Sequence, residues 1–207
     1  MIYPSLVLAF SLYSGLSLAD TDALRKDLHG LDQRLQSIEA SRNSDVPGVQ
    51  NLSAEILIQK SEQSFRSEEY LACVRFLNIL LNKSPALESA RYLKAQYLLG
   101  RSYEELRYPA RSINAYLRYL GSYTTRSKDS SQRLIEVSRR LLLLRESMLS
   151  EEKDAFQRLL ASLMGLNFPE EIQAQITLLA GISAYHAGEF KLAESWLTSI
   201  AKHSDEP

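Results

Sequence analysis

The sequence predicts an all-α protein made of helical hairpins, with a short coiled-coil-like helix ahead of them. Three observations carry this. From Leu52 onward apolar residues recur at three- and four-residue intervals, the period of one helix face. Eight Gly and six Pro in 207 residues are too few for the turns of an all-β chain. The chain is 45% apolar and 24% charged, with a net charge of −1, so it holds enough apolar side chains for a core and is not disordered in bulk. One Cys excludes an intrachain disulfide and a Cys-cluster metal site, and three scattered His leave no transition-metal ligand set. No cofactor is expected.

Residues 1–19 read as a signal peptide. Leu6 to Phe10, Leu12, Tyr13, Leu16 and Leu18 form an apolar stretch, and Ser17-Leu18-Ala19 sets small residues at −3 and −1 of a cut before Asp20. The chain is therefore expected in the periplasm or cell envelope, with membrane association only through partners or an uncleaved signal. Export places Cys73 in an oxidising compartment with no partner in its own chain, and a small buried packing residue is the expectation.

Residues 20–42 form the second part. Leu24, Leu28, Leu31, Leu35 and Ile38 follow spacings of 4, 3, 4 and 3, an a/d seam flanked by charges. A lone helix of this length is marginal in water. The seam either self-associates, giving a homo-oligomer, or lies on the main body. Residues 43–52 are a linker, with Ser44, Pro47 and Gly48 stopping helix propagation.

Residues 53–207 carry the hairpins. A helix near Ala54–Phe65 is followed by one near Glu69–Asn82, stopped by Ser84-Pro85. The second unit starts 39 residues on, counted from Ser61 to Gly100, and reads Tyr97, Leu99, Gly100, Tyr103, Tyr108, Ile113, Tyr116, Leu117 and Leu120. Gly100 lets two helix backbones approach. Pro109 falls at the start of the next helix, where its missing N–H costs nothing, after a turn expected to be one residue longer than usual. The last unit reads Leu179, Ala180, Gly181, Ala184, Tyr185, Gly188, Glu189, Phe190, Ala193, Leu197 and Ile200. Gly188 suits a left-handed turn, and Phe190 is expected to pack into the hairpin. Between them, Asp129–Leu149 and Glu151–Leu166 fit a degenerate third pair without recognisable small positions.

These residues make the chain resemble the tetratricopeptide-repeat family. The resemblance implies four hairpins stacked into a right-handed superhelix whose first helices line a concave groove for protein or peptide partners. Carried over by register, it implies groove residues Ile58, Glu62, Phe65, Lys94, Tyr97, Arg101, Glu104, Leu178, Ile182, Tyr185 and His186. The order of export signal, short coiled coil, linker and repeats is similar to the periplasmic cell-division coordinators that work with the Tol–Pal system. The bland reading is that several groove positions simply pack on the neighbouring repeat.

Charge is uneven along the chain. Arg91 to Arg145 holds twelve Lys/Arg against four Asp/Glu, and Glu146 to Pro207 holds four against ten. Seven of the eleven Tyr lie in the basic part, and Arg with Tyr is a pairing that binding hot spots favour. Arg107, Arg111 and Arg118, with Arg101, are the candidate basic patch for an acidic peptide or envelope polymer. Arg139, Arg140 and Arg145 read as a solvated face. Export and near-neutral charge argue against nucleic acid.

No catalytic constellation is legible. His29, His186 and His203 are far apart, and no Gly-rich phosphate loop or Gly-x-Ser-x-Gly occurs. The doublets Glu68-Glu69, Glu151-Glu152 and Glu170-Glu171 sit near helix starts, where the dipole favours acid. The expected function is a non-enzymatic envelope scaffold for protein–protein interaction, in envelope assembly or cell division. The alternatives are an accessory region of a larger envelope enzyme or machine, or a structural oligomer built on the N-terminal helix.

Overall fold

The computed structural model describes residues 51–83, 87–124 and 130–204, with side chains through residue 200. The stretch read as a signal peptide, the leucine seam and nearly all of the stretch read as a linker lie outside the described residues. Those described form α1 (Ala54–Arg66), α2 (Tyr70–Lys83), α3 (Ser89–Glu105), α4 (Pro109–Ser122), α5 (Ser131–Leu143), α6 (Ser150–Met164), α7 (Glu170–His186) and α8 (Phe190–Ser204), with no strand among them. The fold is all-α and repeat-like, as the three-and-four spacing requires.

Local chemistry sets the ends. Ser53 caps α1, its hydroxyl accepting from the Ile56 amide at 3.3 Å. Pro109 occupies the first turn of α4. At α6 the Glu152 carboxylate accepts from the Leu149 amide at 2.8 Å, and Glu170 and Glu171 place negative charge in the first turn of α7.

The helices pair as hairpins through small residues. Gly100 on α3 faces Tyr116 on α4, and a β-carbon on Gly100 would clash with the edge of the Tyr116 ring. The Ser112 hydroxyl donates to the Gly100 carbonyl at 2.9 Å, fixing the same contact. Gly181 on α7 faces Leu197 on α8, whose Cδ2 would lie 2.7 Å from an added β-carbon. Cys73 on α2 is fully buried against α1, as its small size predicts.

Three connections share one geometry. Ser67-Glu68-Glu69, Leu106-Arg107-Tyr108 and Ala187-Gly188-Glu189 each put the middle residue at positive φ: 62°, 64° and 81°. In each, the third residue's amide reaches back to a carbonyl five positions earlier: Glu69 to Ser64 at 2.8 Å, Tyr108 to Tyr103 at 2.8 Å, Glu189 to Ala184 at 3.0 Å. This is the helix-terminating motif that usually selects Gly. The second turn is therefore the same length as the others, which corrects the expectation of an extra residue.

The third pair differs. α5 stops at Leu143 and a 3-10 turn, Arg145–Ser147, follows, so the single helix expected over Asp129–Leu149 is corrected. The turn drives Met148 fully into the core. Without a small residue to let backbones approach, α5 and α6 do not run side by side as the other pairs do. Each packs instead on α4 and on α7.

Two cores result. Leu57, Cys73, Leu77, Leu80, Leu99 and Tyr103 fill the first, around α1, α2 and α3. Tyr116, Tyr119, Leu134, Leu141, Phe156 and Leu160 anchor the second, which extends to Ile176 and Ala180 on α7. Tyr97 packs against both and joins them.

Candidate partner-binding surface

Three of the first helices, α1, α3 and α7, carry the groove residues singled out in the sequence. On α1, Glu62 and Phe65 are three apart and share a face. Glu62 is ion-paired with Lys94 on α3, and the Arg101 guanidinium lies 5.6 Å from the Phe65 ring centre. The Arg101 Nη1 also donates to Glu136 Oε1 on α5 at 3.0 Å and to the Tyr97 hydroxyl at 3.3 Å. Tyr97 donates to Glu136 Oε2 at 2.9 Å, with Arg133 stacked 4.9 Å from its ring.

Arg140 completes the chain of contacts. Its Nε donates to Glu136 Oε1 and its Nη1 to Glu104 Oε2, both at 2.9 Å. Glu104 accepts a second hydrogen bond from the Tyr116 hydroxyl. Burial and this hydrogen bond to Glu104 push the Tyr116 phenol well above its ordinary value. Burial works to raise the Glu136 carboxyl, but the bonds from Tyr97 and Arg140, with the charges of Arg140 and Arg101, hold it below the usual range.

Glu62, Phe65, Lys94, Tyr97, Arg101 and Glu104 are thus brought together, and most of their polar groups face one another or α5. Ile58 is buried in the first core and offers no contact surface, which corrects its placement in the groove. Arg111 is also corrected: it is 8% exposed and stacks on Tyr103 and Tyr108, at 5.6 and 5.1 Å from their ring centres. Its guanidinium closes the second hairpin rather than meeting a ligand. Arg107 and Arg118 are exposed. They sit at a turn and far along α4, roughly 14 Å apart along the axis, so with Arg111 withdrawn they do not form one patch.

The last hairpin is different. Leu178, Tyr185 and His186 are exposed, Ile182 is half-buried, and Phe190 is 61% exposed, which corrects the expectation that it packs into the hairpin. Tyr185 contacts the Phe190 ring edge-on at 5.5 Å. Arg139 donates to Gln175 at 2.9 Å and Arg145 to the His186 carbonyl at 2.8 Å, fastening α5 and the turn after it to α7. Of the three arginines read as a solvated face, Arg140 and Arg145 are mostly covered.

Sequence reasoning missed Glu136 and Arg133 entirely. The only local signal was the Glu136–Arg140 spacing of four, which marks a helix pair. Among the described residues no group of three or more His, Cys, Asp or Glu is placed to hold a metal ion, and no helix is long and apolar enough to cross a membrane. The geometry defines a class, a hairpin array with a polar middle and an apolar last unit. No family model, curated protein or solved structure matches the chain.

Proposed function

We propose that this chain is an exported, non-enzymatic scaffold of the tetratricopeptide-repeat type, acting in the periplasm or envelope by holding protein partners. The observation that carries the reading is the unequal use of its surface. The middle of the array is knit together by its own ions, while Leu178, Ile182, Tyr185 and Phe190 offer apolar side chains on a helix pair fixed by close packing. A preformed apolar face costs little ordering on binding, which is how helical grooves hold amphipathic segments.

A photoreactive amino acid at Tyr185, with one at Arg75 on the exposed part of α2 as control, tests it in envelope fractions. The expected result is a discrete protein adduct from Tyr185 alone. Adducts of equal pattern at both positions, or none at Tyr185, would reject the reading.

A further inference from the structure

The first and last hairpins correspond residue for residue at an offset of 120 positions. Ser61 answers to Gly181, Cys73 to Ala193, Leu77 to Leu197 and the turn residue Glu68 to Gly188. The ring pairs are alike as well: Phe65 and Tyr70 are 5.6 Å apart at 69°, Tyr185 and Phe190 5.5 Å apart at 67°.

In the first hairpin α3 lies across this face, with Ala95 and Leu98 buried in the shared core and Arg101 over the Phe65 ring. In the last, among the described residues, no helix follows α8. Leu197 is half-buried where Leu77 is fully buried, and Tyr185 and Phe190 stand 59% and 61% exposed. The first hairpin therefore shows what such a face accepts.

Three differences between the two hairpins set the chemistry of the last. Glu62, which takes Lys94, is replaced by Ile182, so an incoming helix meets an apolar residue there. Val74 is replaced by exposed Glu194, one turn from Phe190, so a cation over the rings meets an acid. Leu57, Ile79 and Leu80 are replaced by Thr177, Ser199 and Ile200, which with Phe168 and Ala174 line a cavity of about 840 Å³ at the opposite end of the hairpin. In the first hairpin Leu57 and Leu80 fill that end, and Leu87, just ahead of α3, packs against them in the same core.

The charge of the face is one-sided. Glu171 and Glu194 are exposed acids on it. Lys191 and Lys202 answer to Leu71 and Asn82, positions that α3 leaves exposed, and His186 answers to Arg66, whose side chain is 80% exposed. Glu189 is bonded to Gln157 on α6, on the other side of α7. A second copy of the chain fits poorly. At the spacings of Ala95, Leu98 and Arg101 its α1 would offer Ile56, Gln59 and Glu62, an acid where a cation is needed.

We infer that the Leu178–Ile182–Tyr185–Phe190 face takes one amphipathic helix of a protein partner, lying as α3 lies on the first hairpin. That helix sets a large apolar side chain in the cavity and apolar residues along Ile182. Near its C-terminal end an Arg or Lys lies over the two rings, toward Glu194. The inference rests on the scaffold reading for the existence of a partner and adds what that partner presents.

The test uses the full chain and a fluorescein-labelled peptide of residues 87–105 carrying Lys94→Leu, stapled on its α4-facing side and helical by circular dichroism. Saturable binding is expected. Arg101→Glu in the peptide or Glu194→Lys in the protein should weaken it roughly tenfold, and the two together should restore it. No binding by the helical probe, or losses that simply add, would overturn the inference. Light- and heavy-isotope copies, photoreactive at Tyr185, are also irradiated together without the probe. An adduct to the same chain or to a second copy would overturn it as well. An envelope adduct at Tyr185 without probe binding would leave the scaffold reading and remove this inference. Probe binding with the charge swap, but no envelope adduct, would remove the envelope partner and keep the preference of the face for a basic amphipathic helix.

Discussion

Gly100 and Tyr116 meet from opposite helices: the edge of the aromatic ring lies too close to admit a β-carbon on residue 100. The ring cannot withdraw, because it is fully buried and its hydroxyl is bonded to Glu104. Gly100→Ala should therefore cost about 2 kcal/mol, overpacking outweighing the roughly 1 kcal/mol that Ala gains in helix propensity. A β-carbon on Gly181 would meet Cδ2 and Cγ of Leu197, a half-buried side chain able to change rotamer. Gly181→Ala should stay within about 1 kcal/mol of wild type. Urea unfolding of both variants checks the order, and equal losses would contradict it.

The three matched turns make the second prediction. Glu68 and Arg107 hold positive φ without being Gly, whereas Gly188 does the same freely. Arg107→Gly should raise stability by up to about 1 kcal/mol, the released strain exceeding the entropy that Gly adds to the unfolded chain. Gly188→Ala should lower it by a similar amount, about 1 kcal/mol, although a β-carbon there meets nothing within 4 Å. Thermal melts that moved in the same direction for both would refute a backbone origin.

What was legible in the sequence follows from range. Helix positions could be read because they depend on neighbours three and four positions away, and the small residues Gly100, Gly181 and Cys73 because the hairpin pattern recurs along the chain. The turn at Arg107 hid its identity with Gly188, since an Arg does not advertise a left-handed backbone. The splayed third pair was foreshadowed by its missing small positions, but its 3-10 turn follows from burying Met148 in a core assembled by distant helices. The ionic middle was not legible, because Arg140 and Glu104 are 36 positions apart. Phe190 was misread because the repeat pattern supplies a following helix, and what covers a residue is not written at that residue.

Glu136 gives a third prediction. Its carboxyl is held low in the folded protein, so its stabilisation is present above the unfolded value of about 4.3 and fades as pH falls through the folded value. The site is partly open to solvent, so screening keeps the effect modest. Glu136→Gln should cost about 1 kcal/mol at pH 7, and its gap from wild type should narrow as pH falls below the unfolded value. Denaturation at several pH values measures this. A gap unchanged from pH 7 to 3 would show that the charge of Glu136 is not what matters.

Cys73 gives the fourth. Burial pushes its thiol up to about 11, opposed only in lesser part by the nearby Ser102 hydroxyl. At pH 8 the folded protein should not react with an aromatic disulfide reagent, whereas the urea-unfolded chain should react fully, since only the thiolate attacks. A thiol held protonated by folding stabilises below its unfolded pKa, here about 9, and that contribution disappears as pH rises toward 11. Ala193 fills the corresponding position of the last hairpin and is buried there, so Cys73→Ala should fold normally. Its stability should fall less steeply than wild type between about pH 9 and 11. Rapid labelling of Cys73 in the native state would mean that α1 and α2 separate far more readily than their packing implies.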